Sequence, residues 1–338
     1  MLRRLFVLIL ASATALGSMT ATSAARADTT LLNSSYDIAR ELFATLNPLF
    51  EADYQREHGV AIHINQSHGG SSRQAQAIIQ GLKADVVTFN QITDIDVLAQ
   101  RGLVAADWAE RFPSASSPYY STAAFLVRKG NPKNIRNWDD LVKEGVKVVF
   151  PNPKTSGNGR YTYLGAWLFA HQAFDGDEQK IRQFVRSFLS NVAVFDTGGR
   201  GATVTFAERG IGDVLISFES EVSNIRKEYG DGDYEVIVPP VSILAEFPVA
   251  VVDKVVDARG TREQAQAYLE FLYSEPAQEI LAQFNYRVHN PAVVARTRAQ
   301  FPELQLLKVD ELLGSWESVQ EAHFGRNGIL DQLQARSR

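Results

Sequence analysis

Strand-like and helix-like segments take turns along the chain, and this alternation restricts the fold more than any other feature. Val60-Ala61-Ile62-His63-Ile64 alternates with period two, and residues 84–89, 146–150, 192–195 and 213–217 are short runs rich in β-formers. Between them Ile38, Leu42 and Leu46 share one helical face, and Ile181, Phe184, Val185, Phe188 and Leu189 recur at helical spacing. Thr261 with Gln264, and Ser71 with Gln74, read as capping-box pairs, while Pro276 suits the first turn of a helix. Strands separated by helices predict an α/β protein with mainly parallel sheets. At about 150 residues per domain, 338 residues make roughly two domains.

Two stretches read as crossings between lobes. Residues 123–128 are apolar and lead into Lys129-Gly130-Asn131-Pro132, and residues 236–252 carry Pro239, Pro240 and Pro248 among β-formers. Two crossings build one lobe from both chain ends, residues 28–126 with 245–338, and the other from residues 127–244. Residues 1–27 stand apart as a signal peptide. Arg3 and Arg4 precede an apolar core that is too short to span a bilayer, and Ala25-Arg26-Ala27 is a small-x-small cleavage site. Its removal takes three arginines and moves the formal charge from −5 to −8. Export without any cysteine rules out disulfides, thiolate metal sites and a lipidated N-terminal cysteine, and favours the periplasm. The acidic balance disfavours nucleic acid as a partner.

Four loops rich in Gly, Ser and Thr sit between a strand-like and a helix-like segment: residues 33–37, 66–72, 152–160 and 197–203. Helix starts leave amides unpaired at the positive end of the helix dipole, so each loop is a ready anion site. Capping alone accounts for any one of these loops; four together point to donors gathered on one small anion. None matches G-x-x-x-x-G-K-[ST], nor G-x-G-x-x-G after a strand, so a nucleotide site is poorly supported. The six histidines show no metal-ligand spacing, and no G-x-S-x-G elbow accompanies His68-Gly69-Gly70. Asp37, Asp85, Asp213 and Glu219 read as caps or as acceptors for loop arginines, and Arg160 and Arg200 as anion contacts or braces. Tyr161, Tyr163, Trp167 and Phe169 read as core.

At these loops the sequence resembles the periplasmic sulfate- and thiosulfate-binding proteins of ABC importers, closest to the thiosulfate-binding branch. LLNSSYD (31–37), QSHGGSS (66–72), FLVRKGNPKNI (125–135), NPKTSGNGR (152–160), DTGGRGAT (196–203) and FAERGIGDVLISFESEV (206–222) carry the resemblance, which covers nearly the whole mature chain. It implies the type II periplasmic binding protein fold: two α/β lobes joined by hinge strands, with the ligand cleft between. It also implies a monomer that delivers thiosulfate or sulfate to an inner-membrane permease, without enzymatic activity, metal or cofactor.

The donors it implies are the amides of Asp37, Ser71, Gly157, Asn158 and Gly199 and the Ser156 hydroxyl. Two departures stand out. Phe218 replaces a tryptophan of sulfate binders and has no N–H to donate, which favours thiosulfate. Gly159 replaces the usual alanine, at up to ~1 kcal/mol of helix propensity. The rival readings are an exported sulfate- or phosphate-ester hydrolase, with Ser71 or Ser156 as nucleophile and His68 as base, and a binder of another oxyanion such as molybdate. A histidine against either serine would favour the hydrolase.

Overall fold

Residues Thr29–Ser35 form β1, the centre of a four-stranded sheet flanked by β2 (Ile62–His68) and β3 (Val86–Thr88). Coordinates come from a computed structural model that describes residues 29–335, so the proposed leader lies outside the described residues. Both neighbours run parallel to β1. The helices α1 (Arg40–His58) and α2 (Ser71–Ile79) return the chain to the same edge, as parallel pairing requires. Helix α1 buries Leu42, Phe43, Leu46 and Phe50 and stops at Gly59, whose φ of 67° gives a left-handed cap. After β3 comes α3 (Ile92–Gln100).

The middle of the chain builds a five-stranded sheet. Its members are β5 (Ala123–Arg128), β6 (Val148–Pro151), β7 (Val192–Asp196), β8 (Val214–Phe218) and β9 (Tyr234–Ile237), in the order β7-β6-β8-β5-β9. Helices α4 (Gly157–Ala173), α5 (Glu178–Ser190), α6 (Gly199–Thr203) and α7 (Glu219–Tyr229) connect and cover them. Strand β6 runs parallel to β7 and β8, but β5 pairs antiparallel with β8 and β9. This sheet is therefore less parallel than the alternation predicts, because the strands that enter and leave it come from the hinge rather than over a helix.

A three-stranded antiparallel sheet lies at the hinge, with β4 (Tyr119–Ser121) between β11 (Ala245–Glu246) and β13 (Arg287–Val288). Between β9 and β11 lies β10 (Val241–Ile243), which pairs with β14 (Gln305–Leu307), and β12 (Val249–Val251) adds antiparallel to β3. The chain thus changes sheet at Thr122, ahead of the expected division at 126/127, and residues 123–126 pair in the five-stranded sheet. The crossings are bonded to one another: Thr122 Oγ1 donates to the Ile243 carbonyl (2.7 Å) and Ser242 Oγ to the Ala123 carbonyl (2.9 Å).

The C-terminal segment packs onto α4 and the loop before it. Tyr163 Oη lies 3.0 Å from His323 Nδ1, and Lys154 Nζ donates to the Phe324 carbonyl (2.9 Å) and to Asp331 (3.0 Å). Tyr163, Trp167, His323 and Phe324 cover each other's rings, which composition alone does not reveal. Two expected capping boxes are absent. The Thr261 hydroxyl donates to buried Asp85 (2.6 Å), and Gln74 reaches the Ser35 carbonyl (3.3 Å). In each case a buried acceptor takes the group, since leaving such an acceptor unpaired costs more than a bare helix start.

Candidate functional site

Every predicted loop leaves the carboxyl end of a strand, where ligands of α/β sheets collect. From the first lobe come the turn after β1 with Asp37, the turn after β2 with Ser71, and Asn90 and Gln91 after β3. From the second come Ser156, Gly157 and Asn158 after β6, Gly199 after β7, and Phe218 at the end of β8. These two groups of loops face each other at van der Waals range. A Cβ built on Gly157 would lie 2.6 Å from Asn90 Oδ1 and 3.1 Å from Gln91 Cβ. One built on Gly198 would lie 3.1 Å from Asp37 Oδ2. Backbone from one lobe meets side chains of the other there; a Cβ at Gly157 would clash outright, and one at Gly198 would press on Asp37.

Ser156 caps α4 by accepting the Gly159 amide (3.4 Å), which leaves its own O–H free to donate. A Cβ at Gly159 would stand 2.3 Å from the Pro151 carbonyl oxygen, so glycine is there for packing, a reason that helix propensity alone misses. The Ser71 hydroxyl donates to Asn90 Oδ1, and Ser71 opens α2 as its first residue rather than as its cap. Asp37 turns its carboxylate toward the opposing loop. It accepts the Ile38 amide (3.1 Å) and the Arg200 amide, while burial raises its pKa. Phe218 is buried, its ring edge-on to Phe247 (5.0 Å) and Tyr161 (5.9 Å).

The arginines brace the site from behind. Arg160, itself 7% exposed, bonds to Asp94 (3.3 Å), Thr93 (3.3 Å) and Ser72 (3.2 Å) of the other lobe. Arg200 pairs with Glu41 (2.8 Å), again across the lobes. Glu219 is held by both nitrogens of Arg287 (2.7 and 2.9 Å), Asp85 accepts the Leu32 amide (2.8 Å), and Asp213 accepts the Lys147 amide (2.8 Å). His68 Nδ1 lies 3.1 Å from the Tyr36 carbonyl, so its ring orients the first turn. No described histidine bonds to Ser71 or Ser156, and the geometry a hydrolase needs is missing among the described residues.

Sequence reading missed Asn90, Gln91 and Glu221. The first two form a polar pair directly after the run 84–89, at a strand end like the four loops but without Gly, Ser or Thr to flag it. Glu221 sits in α7 below Gly199, 3.0 Å from where a Cβ on that glycine would stand. It accepts from Ser217 Oγ and from Asn158 Nδ2 (3.1 Å). Burial, with Asp37 adding to it, pushes Glu221 up to about 7, against the Ser217 and Asn158 hydrogen bonds and Arg200.

This raised value has a testable sign. The folded protein holds the Glu221 proton more tightly than the unfolded chain, so stability falls as pH rises from about 4.5 toward about 7. The loss amounts to roughly 3 kcal/mol. Urea unfolding at several pH values across this window reads it, and Glu221→Gln flattens the slope. Equal slopes in both proteins would contradict the assignment.

The model for bacterial extracellular solute-binding proteins matches residues 38–287. The chain belongs to that family. This solute-binding protein is 59% identical over 312 residues to the thiosulfate-binding protein of Escherichia coli (strain K12), covering 92% of each chain. It is 47% identical over 318 residues to the sulfate-binding protein of the same strain, covering 94% of this chain and 97% of that one. Among solved structures it resembles the sulfate-binding protein SubI from Mycobacterium tuberculosis H37Rv, with a TM-score of 0.77 and 31% identity, covering 86% of this chain and 98% of that one. The two-lobed type II binding fold that the resemblance implies is the fold observed.

Proposed function

We propose that this protein captures thiosulfate, and sulfate less tightly, in the periplasm and delivers it to the permease of an ABC importer. It is a binding protein and not an enzyme, as its relatives are. One observation carries the reading: loops from both lobes press their helix starts against each other at Gly157 and Gly198, with Arg160 and Arg200 bonded to Asp94 and Glu41. We assign the first lobe to residues 28–121 with 245–304 and the second to the remainder of the mature chain, residues 1–27 being a cleaved signal peptide. The anion lies between the amides of Asp37, Ser71, Gly157, Asn158 and Gly199 and the Ser156 hydroxyl. Closure around it shifts the population of lobe arrangements and so signals loading to the permease.

A chain of net negative charge binds a dianion because oriented amides act within a few ångströms, where they outweigh the long-range field. Hydrogen bonds to a charged group contribute ~1.5–3 kcal/mol each. Hydrogen phosphate brings a proton that needs an acceptor, which the amide and hydroxyl donors do not supply, while Asp37 accepts the Ile38 and Arg200 amides. Phe218 offers no N–H, and its aromatic surface suits a soft terminal sulfur better than a fourth oxygen.

Calorimetric titration of thiosulfate, sulfate, phosphate and molybdate tests this. Thiosulfate is expected at about micromolar affinity or better, near −8 kcal/mol, with phosphate and molybdate undetected. Phosphate bound as tightly as the sulfur anions would refute a cleft built from donors. Phe218→Trp supplies an indole N–H and is expected to move the ratio toward sulfate.

A further inference from the structure

Gln91 lies at the junction of the two lobes. Its side chain is fully buried, and neither Nε2 nor Oε1 has a hydrogen-bond partner among the described residues. Buried carboxamides are normally paired; Gln66 is unpaired as well, and it is the place of Gln91 at the junction of the lobes that sets it apart. Gln91 Cβ lies 3.1 Å from where a Cβ of Gly157 would stand, and the preceding residue, Asn90, accepts the Ser71 hydroxyl. Gln91 thus sits near two helix starts, one from each lobe.

We infer that Gln91 contacts the ligand and sets selectivity, its carboxamide NH2 donating to the oxyanion held between Ser71 and Gly157. This rests on the oxyanion reading above. The chemistry of the neighbours supports it. Phe218 gives the cleft no donor, and Arg160 and Arg200 are committed to Asp94 and Glu41. A carboxamide adds a neutral donor to a site already made of neutral donors. It also stands on a side chain with three rotatable bonds, so it can follow an anion larger than sulfate.

The test compares wild type, Gln91→Leu and Gln91→Leu/Phe218→Trp by calorimetric titration with thiosulfate and with sulfate, alongside thermal melting. Loss of one hydrogen bond to a charged group weakens thiosulfate binding roughly ten- to a hundredfold in Gln91→Leu. The thiosulfate-to-sulfate affinity ratio falls as well, which a merely structural residue would not change. The added indole of the double variant restores binding of sulfate over that of Gln91→Leu. Gln91→Leu binding both anions as wild type does, or weakening both by one common factor, overturns the inference. Should Gln91→Leu fail to fold, Gln91→Glu keeps the shape and repels the dianion, so undiminished thiosulfate binding by that variant overturns it equally. Wild type that binds neither anion refutes the functional reading instead, and the two failures are distinct.

Discussion

Gly157→Val is expected to weaken thiosulfate binding by a hundredfold or more, about 2.7 kcal/mol, while the melting temperature stays near that of wild type. The added Cβ would meet Asn90 Oδ1 at 2.6 Å, Gln91 Cβ at 3.1 Å and the Asn90 carbonyl oxygen at 3.3 Å. All three belong to the other lobe, so the clash exists only when the lobes are together. Each lobe keeps its own sheet and core in the variant, and valine is no worse a helix former than the glycine it replaces in the first turn of α4. Calorimetric titration reads the affinity, and scanning calorimetry reads the fold. Affinity equal to wild type would show that the lobes need not approach this closely around the ligand.

Arg160→Met is expected to produce the second large effect. The side chains of Arg160 and Asp94 are 8% and 7% exposed, 3.3 Å apart, and joined across the lobes. Removing one member of a buried pair leaves the other as an uncompensated charge, at ~3–5 kcal/mol. Burial already raises the pKa of Asp94 even with Arg160 beside it. The cost falls on the closed arrangement, where the pair is dry, so affinity drops by about two to three orders of magnitude. Arg160→Met with Asp94→Leu removes both charges and recovers most of the loss. A double-mutant cycle on thiosulfate affinity measures the coupling, and strictly additive losses would show that the pair does not link the lobes.

Much of this was legible from residue order. Period-two runs and apolar faces at helical spacing report which surface an element buries, and that is a local property of the chain. The strands at 84–89, 146–150 and 192–195 and the helix through Ile181 and Leu189 fall where the pattern puts them. Glycine-rich turns report a backbone need, and they mark the right strand ends. The pattern had no access to groups whose partner is far along the chain. Thr261 reads as a cap because Asp85, its acceptor, is 176 positions away. Arg160 reads ambiguously because Asp94 comes from another lobe. Gln91 carries no local signal at all, since an isolated glutamine after a strand is ordinary until its surroundings turn out to hold no partner.

The sequence by itself determined the α/β class and the glycine-rich turns at the strand ends, because these follow from short-range periodicity and backbone chemistry. Only the tertiary structure decided that those turns meet across the lobes, that Asp37 faces the opposing loop and Glu221 lies below Gly199, and that Arg160 and Arg200 pair with carboxylates of the other lobe. Such facts depend on how two separately folded lobes come together, and the distances that govern hydrogen bonds and buried charge exist only after that assembly.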